Sequence, residues 1–123
     1  MRVERQEAEG WLTVVAVTGE LDAYTAPELR TALQEAMDGG AQFLVADLTA
    51  VEYIDSVGLG ILVAAAKRAA AAGGALSVAS DASSVTKVFQ ISGTHELLGL
   101  QPTLPESREF LASRRQEHAG TNS

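Results

Sequence analysis

The sequence predicts an α/β domain built on a mixed, largely parallel sheet. Three observations carry this expectation. Short apolar runs bounded by turn residues alternate with alanine- and leucine-rich segments of helical spacing, which is the order of crossover connections. The first two apolar runs are separated only by Ala8-Glu9-Gly10, which is a hairpin turn rather than a crossover. The chain has 123 residues, the size of one domain with a core of its own.

Taken in order, Val3 to Glu7 alternates weakly and reads as an edge strand. Trp11 to Val17 is rich in β-branched residues and reads as its hairpin partner, after which Gly19 to Tyr24 leaves the sheet as a loop. Thr25-Ala26-Pro27-Glu28 opens a helix, with Thr25 as cap, Glu28 in the reciprocal position of a capping box and Pro27 in the first turn. Leu29, Ala32, Leu33, Ala36 and Met37 give that helix its apolar stripe, and Asp38-Gly39-Gly40 ends it. Phe43 to Leu48 is a buried strand. Ile61 to Ala72 is helical, with Leu59, Leu62, Val63, Ala66 and Ala70 on the core side, Lys67 and Arg68 in water, and Gly73-Gly74 as the stop. Leu76 to Ala79 is the next strand. Asp81, Ser83 and Ser84 are candidate caps for a helix whose apolar residues are Val85, Val88, Phe89 and Ile91, and Gly93 stops it. Leu97 to Leu100 fits a short strand or a packed turn. Pro105 to Leu111 reads as a last helix, with its acidic residues near the start. The domain is expected over residues 1–115 and a disordered tail over residues 116–123. Periodicity does not settle whether the helices cover one face of the sheet or both.

Composition narrows the partners. The net charge is −7, from 16 acidic and 9 basic residues, which disfavours nucleic acid. There is no cysteine, so disulfides and thiolate metal sites are excluded. The first residues lack the apolar centre of a signal peptide, and no run approaches a membrane span, so a soluble cytoplasmic protein is expected.

The chemistry concentrates in Asp47-Leu48-Thr49-Ala50-Val51-Glu52-Tyr53-Ile54-Asp55-Ser56-Val57-Gly58-Leu59-Gly60, between a strand and a helix. Ser56 is read as the helix N-cap. Gly58 and Gly60 cost helix stability and are read as giving another surface access to the Ser56 hydroxyl. A dinucleotide fingerprint fails because Val63 stands where its third glycine belongs, and no Gly-Lys-Ser/Thr follows a glycine loop. A Ser56–His95–aspartate triad lacks the glycine that precedes a nucleophile elbow, and His118 is far along the chain. Asp22 and Asp55 both follow strands, and in a parallel sheet their loops leave from the same edge. They either shape a surface for a cationic or Mg²⁺-bearing partner or bond their own turns; the residues favour turn and cap structure for Asp55 and leave Asp22 open. A phosphate on Ser56 would add a dianion at a helix N-terminus, which tolerates negative charge, so it would change binding rather than folding.

Gly19-Glu20-Leu21-Asp22, the block Asp47-Leu48-x-x-Val51-x-x-Ile54-Asp55-Ser56-x-Gly58-Leu59-Gly60, and Ile91-Ser92-Gly93 together resemble the STAS family, and within it the anti-sigma factor antagonists. The resemblance runs from about Trp11 to Leu111. It implies a single STAS-like domain with a mixed sheet of four or five strands and helices packed on one side, without catalytic residues, metal or cofactor. It implies binding to an anti-sigma factor that is itself a serine kinase, release of the sigma factor, phosphorylation of Ser56, and resetting by a metal-dependent (PP2C-type) serine phosphatase. It places the partner-binding surface on Asp22, Ala23, Tyr24, Thr25, Asp55, Ser56, Val57, Gly58, Leu59, Gly60 and Ile61. Val57 departs from the pattern, since relatives often carry serine or threonine there; one hydroxyl is then left in the turn. STAS domains also serve as interaction modules without a switch, in scaffolds or lipid-transport complexes, and there the serine would have no signalling role.

Overall fold

The computed structural model describes residues 2–121. The elements run β1 (Arg2–Glu9), β2 (Leu12–Leu21), α1 (Ala26–Asp38), β3 (Phe43–Ile54), α2 (Ser56–Ala71), β4 (Ala75–Ala79), α3 (Ser83–Ser92) and α4 (Leu104–Thr121). One sheet of four strands has the order β1-β2-β3-β4. β1 pairs antiparallel with β2, whereas β2/β3 and β3/β4 are parallel. The hairpin followed by crossovers is the mixed α/β sheet that the order of apolar runs predicts.

The period of two along the strands divides the core. Val15, Val17, Leu44, Ala46, Leu76 and Val78 face one way and meet Leu29 and Leu33 of α1, Leu62 and Ala66 of α2, and Val85 and Phe89 of α3. Thus α1, α2 and α3 share one face, as the resemblance implies. Leu12, Val14, Phe43, Val45 and Ala79 point the other way, and α4 covers them with Leu111, flanked by Leu104 and Phe110. That second layer reaches only the end of the sheet where β2 and β3 begin; beyond it, Thr18 and Thr49 are exposed. Ser77 lies under α4, where its hydroxyl donates to the Gly99 carbonyl and bonds the Ser107 hydroxyl, so its burial leaves no unmet polar group.

At the same end Trp11 packs edge-on against Phe43, and the guanidinium groups of Arg108 and Arg115 lie over its ring at 5.8 and 5.0 Å. Glu9 accepts from both Arg108 and the Trp11 indole. The Arg108 hydrogen bond, then that of Trp11, holds the Glu9 carboxyl below its ordinary value. This contribution is present above the ordinary carboxylate value and is lost as pH falls through the lowered one.

Several expectations are corrected. β2 continues to Leu21 and β3 to Ile54, so much of the segments read as loops is strand. Register shifts between Ala16 and Thr18 and between Gly19 and Glu20 break the alternation there, which hides the strand from a period-two reading. Thr25 makes no side-chain cap at α1; its hydroxyl instead donates to the Glu20 carbonyl at 2.7 Å, so the capping box with Glu28 does not form. Ala69, not Ala70, is buried in α2. Ala82 precedes α3 without a side-chain cap, and Ser84 donates to the Glu52 carbonyl at 2.7 Å, tying α3 to β3. Ile91 is 85% exposed because it follows Phe89 onto the wet side of α3. For Leu97 to Leu100 the turn is the reading that holds, over residues 97–99, with one parallel bridge from Ala79 to Gln101 following it. α4 extends through Thr121, across most of the segment expected as a tail, and residues 122–123 lie outside the described residues.

Gly74 is fixed by contact. A Cβ there would lie 1.8 Å from the Gln42 carbonyl oxygen, which accepts the Ala75 N–H at 3.0 Å at the start of β4. Gly60, by contrast, has nothing within 4 Å of such an atom. In urea unfolding, Gly74→Ala is expected to cost about 2–3 kcal/mol through this backbone clash. Gly60→Ala should stabilise by about 0.5–1 kcal/mol through helix propensity.

Candidate functional site: the sheet edge around Ser56

Two parallel strands end side by side and bring two loops together. Leu21 and Ile54 are the last register partners of β2 and β3, and the Asp55 N–H donates to the Leu21 carbonyl at 3.1 Å. The loop after β2 and the turn into α2 therefore leave from one sheet edge, as the parallel arrangement requires.

Asp55, rather than Ser56, is the N-cap of α2. Its backbone is extended, and its Oδ1 accepts the N–H groups of Val57 at 3.0 Å and Gly58 at 3.1 Å. Its Oδ2 accepts the Ala23 N–H at 3.1 Å, from the neighbouring loop. One carboxylate thus closes the helix and ties it to the β2–α1 loop. Ser56 is the first helical residue, exposed, and its hydroxyl forms no hydrogen bond to another described residue. The cap assigned to Ser56 from sequence is corrected: an aspartate one position earlier reaches the same donors with a charged acceptor, which the helix terminus prefers.

Asp22 is taken up by its own loop. Its Oδ1 accepts the N–H groups of Tyr24 at 2.9 Å and Thr25 at 3.1 Å, while its carbonyl accepts the Ala26 N–H at 2.7 Å. Desolvation pushes its carboxyl up, but hydrogen bonds from Thr25 and Tyr24 together outweigh it, and the net shift is downward. Asp22 is thereby held in the charged form, and the stability it lends the loop fades as pH falls through its lowered value.

The glycines divide. A Cβ on Gly58 would lie 2.8 Å from Leu21 Cγ and 3.1 Å from Ile54 Cγ1, so Gly58 is buried to let α2 land on the strand ends. It does not open the surface. Gly60 is exposed with free space around it, which is the geometry of access. Leu59 is half-buried against the core, and Ile61 is 6% exposed and belongs to it.

What stands out into solvent is apolar. Tyr24 is 95% exposed, Tyr53 50% and Val57 40%, on the three segments that meet at this edge. Tyr53 was not legible as a site residue, because it sits in a stretch read as loop; its signal was an aromatic just before Asp55-Ser56. Beside Ser56, a hollow of about 310 Å³ opens between α1 and α2, lined by Arg30, Leu33, Met37, Val57, Gly60 and Ile61. Arg30 was likewise read only as part of a helix.

The arrangement suits docking. Among the described residues, no hydrogen bond joins Ser56 to a histidine, and His95 is exposed in the turns after α3. Among the described residues, no group of three or more histidines and carboxylates is placed to hold a metal ion. In urea unfolding, Asp55→Ala is expected to cost about 1–2 kcal/mol as a lost cap. Ser56→Ala should change stability by less than about 0.5 kcal/mol; the opposite ranking would show that the serine holds the helix.

Comparison with known proteins identifies the family. The family described as STAS domain matches residues 2–107. The anti-sigma-B factor antagonist of Bacillus subtilis is 33% identical over 86 residues, covering 70% of this chain and 78% of its own. Among solved structures, an anti-sigma factor antagonist from Mycobacterium paratuberculosis is 28% identical, with a TM-score of 0.78 over 90% of this chain and 95% of its own. SpoIIAA of Bacillus shares the fold at 19% identity in its unphosphorylated form, with a TM-score of 0.78 over 91% of this chain and 97% of its own. In its phosphorylated form the figures are 20% identity and a TM-score of 0.70, over 88% of this chain and 97% of its own. The chain belongs to the STAS domain family, on the branch whose named relatives are anti-sigma factor antagonists.

Proposed function

We propose that the chain is an anti-sigma factor antagonist that binds an anti-sigma factor with serine kinase activity, frees a sigma factor, and is switched off by phosphorylation of Ser56. The observation that carries this reading is the division of labour at the head of α2. Asp55 satisfies the helix donors, so the Ser56 hydroxyl is exposed and structurally idle. Such a hydroxyl can enter a kinase site while its surroundings stay docked.

The surroundings supply the docking surface. Tyr24, Tyr53 and Val57 offer apolar area, with Ala23, Thr25 and Leu59 filling between them and Gly60 leaving room for close approach. Aromatic residues of this kind carry much of the energy of protein interfaces. Asp22 and Asp55 give the same edge negative charge, which complements the cationic and Mg²⁺-bearing surroundings of a kinase-bound nucleotide. In the transfer, the γ-phosphoryl group of ATP passes to the Ser56 oxygen, ADP leaves, and the hydroxyl proton goes to a base of the kinase.

The product carries about −1.5 to −2 added charges at neutral pH. They stand beside two carboxylates that were part of the docked surface, so the complex loses affinity. The fold itself is compatible with the modification, since the same architecture is known in a phosphorylated relative. A PP2C-type phosphatase completes the cycle. The cytoplasm is the compartment where these partners meet, and none of the described helices is long and apolar enough to cross a membrane.

The test is titration of the cognate anti-sigma factor, captured from host lysate, against wild type, Ser56→Ala and Ser56→Asp. The alanine variant is expected to bind within about threefold of wild type, and the aspartate variant at least about tenfold more weakly, or 1.4 kcal/mol. Equal affinity of the two variants, with no phosphate on Ser56 in host cells under any growth condition, would identify a docking module without a switch.

A further inference from the structure

A helix N-terminus ordinarily holds an anion on its free N–H groups. At α2 three of the first four are already engaged, the Leu59 N–H by the Asp55 carbonyl. Val57 and Gly58 donate to Asp55 Oδ1, and Ala23 donates to Asp55 Oδ2. A phosphate attached at Ser56 therefore finds the terminal donors occupied by a carboxylate. It also finds that carboxylate, and Asp22 on the adjoining loop, as like charges at close quarters, and like charges repel. Of the first-turn donors, the bonds to Asp55 leave it only the Ser56 N–H.

The hollow beside Ser56 offers a cation instead. Ser56 lines the hollow between α1 and α2 from the α2 side, and Arg30, in the second turn of α1, lines it from the facing side. Arg30 is exposed and makes no ion pair with another described residue. The other guanidinium of this hollow, Arg68, is bonded to Asp38 at 2.6 Å and is thereby neutralised. The hollow that Ser56 lines thus holds an uncommitted guanidinium, while neither Asp22 nor Asp55 lines it.

We infer that Arg30 is the binding residue for the phosphomonoester of Ser56, drawing it away from Asp55 and Asp22 and across the mouth of the α1–α2 hollow. Two phosphate oxygens accept from the planar guanidinium, a geometry that lysine does not reproduce. The modification then acts twice. It adds charge to the docking edge, and it covers Val57 and the apolar floor formed by Leu33, Met37 and Ile61. The inference rests on the reading of Ser56 as the phosphate acceptor.

The test uses the full chain with phosphoserine inserted at position 56 during translation, so that no kinase is needed. Phosphorus NMR follows the second ionisation of the phosphate against pH, in wild type, R30Q and R30K. An ion pair favours the dianion, so the wild-type value is expected below the ordinary value of about 6, higher by about half a unit in R30Q, and between the two in R30K. Amide spectra of the variants should match that of wild type, since position 30 is exposed. A wild-type value at or above the ordinary one, unmoved by R30Q, would overturn the inference and place the phosphate with the carboxylates. Because the phosphate is installed by translation, that failure leaves the functional reading standing. Absence of the modification in host cells would sink the functional reading without touching this measurement.

Discussion

The site depends on one carboxylate. Asp55 accepts two N–H groups at the head of α2 with one oxygen and an N–H of the β2–α1 loop with the other. A cap of this kind is worth about 1 kcal/mol, with the helix dipole adding to it. The larger consequence is what it releases. Were Ser56 the cap, its oxygen would be turned inward to accept the helix donors and would be less available to a kinase. With the cap one residue earlier, the hydroxyl is surplus to the fold. Structure and signal are then carried by adjacent side chains rather than competing for one.

The rest of the fold serves to hold that carboxylate in register. Parallel pairing of β2 and β3 ends the two strands side by side at Leu21 and Ile54, and the absence of a side chain at Gly58 lets α2 rest on both. Asp22, charged and satisfied by Tyr24 and Thr25, keeps the first loop in the shape that presents the Ala23 N–H to Asp55. The opposite end of the sheet is locked by different means, with α4, Trp11, Arg108 and Glu9 clamped together. That clamp leaves the Ser56 edge free of covering helices, and Tyr24, Tyr53 and Val57 stand out from it.

Much of this was legible in the chain. Continuous apolar, β-branched runs such as Leu12 to Val17 and Phe43 to Leu48, buried on both faces, gave the sheet, and the Leu29–Leu33–Ala36 stripe gave α1, because burial on one side of a helix leaves a helical trace. The edge of the sheet was less legible for a physical reason. The β2/β3 pairing shifts register twice near its end, each time with an extra residue on β3, so Val51 and Ile54 are buried three apart and read as loop. Capping was ambiguous because Asp55 and Ser56 are both good caps, and only the extended backbone of Asp55 decides between them. Gly58 and Gly60 look alike in sequence, yet one is demanded by Leu21 and the other by nothing inside the molecule. Arg30 and Tyr53 carry no local pattern, since their importance comes from what the fold sets beside them.

Amide hydrogen exchange on the Ser56-phosphorylated chain, set against the unmodified one, reads the separation of scaffold and signal most directly. If Asp55 alone holds the helix end, the Val57 and Gly58 amides keep their protection to within about threefold when the phosphate is present. Loss of protection at those two amides on phosphorylation would show that the hydroxyl is part of the scaffold after all.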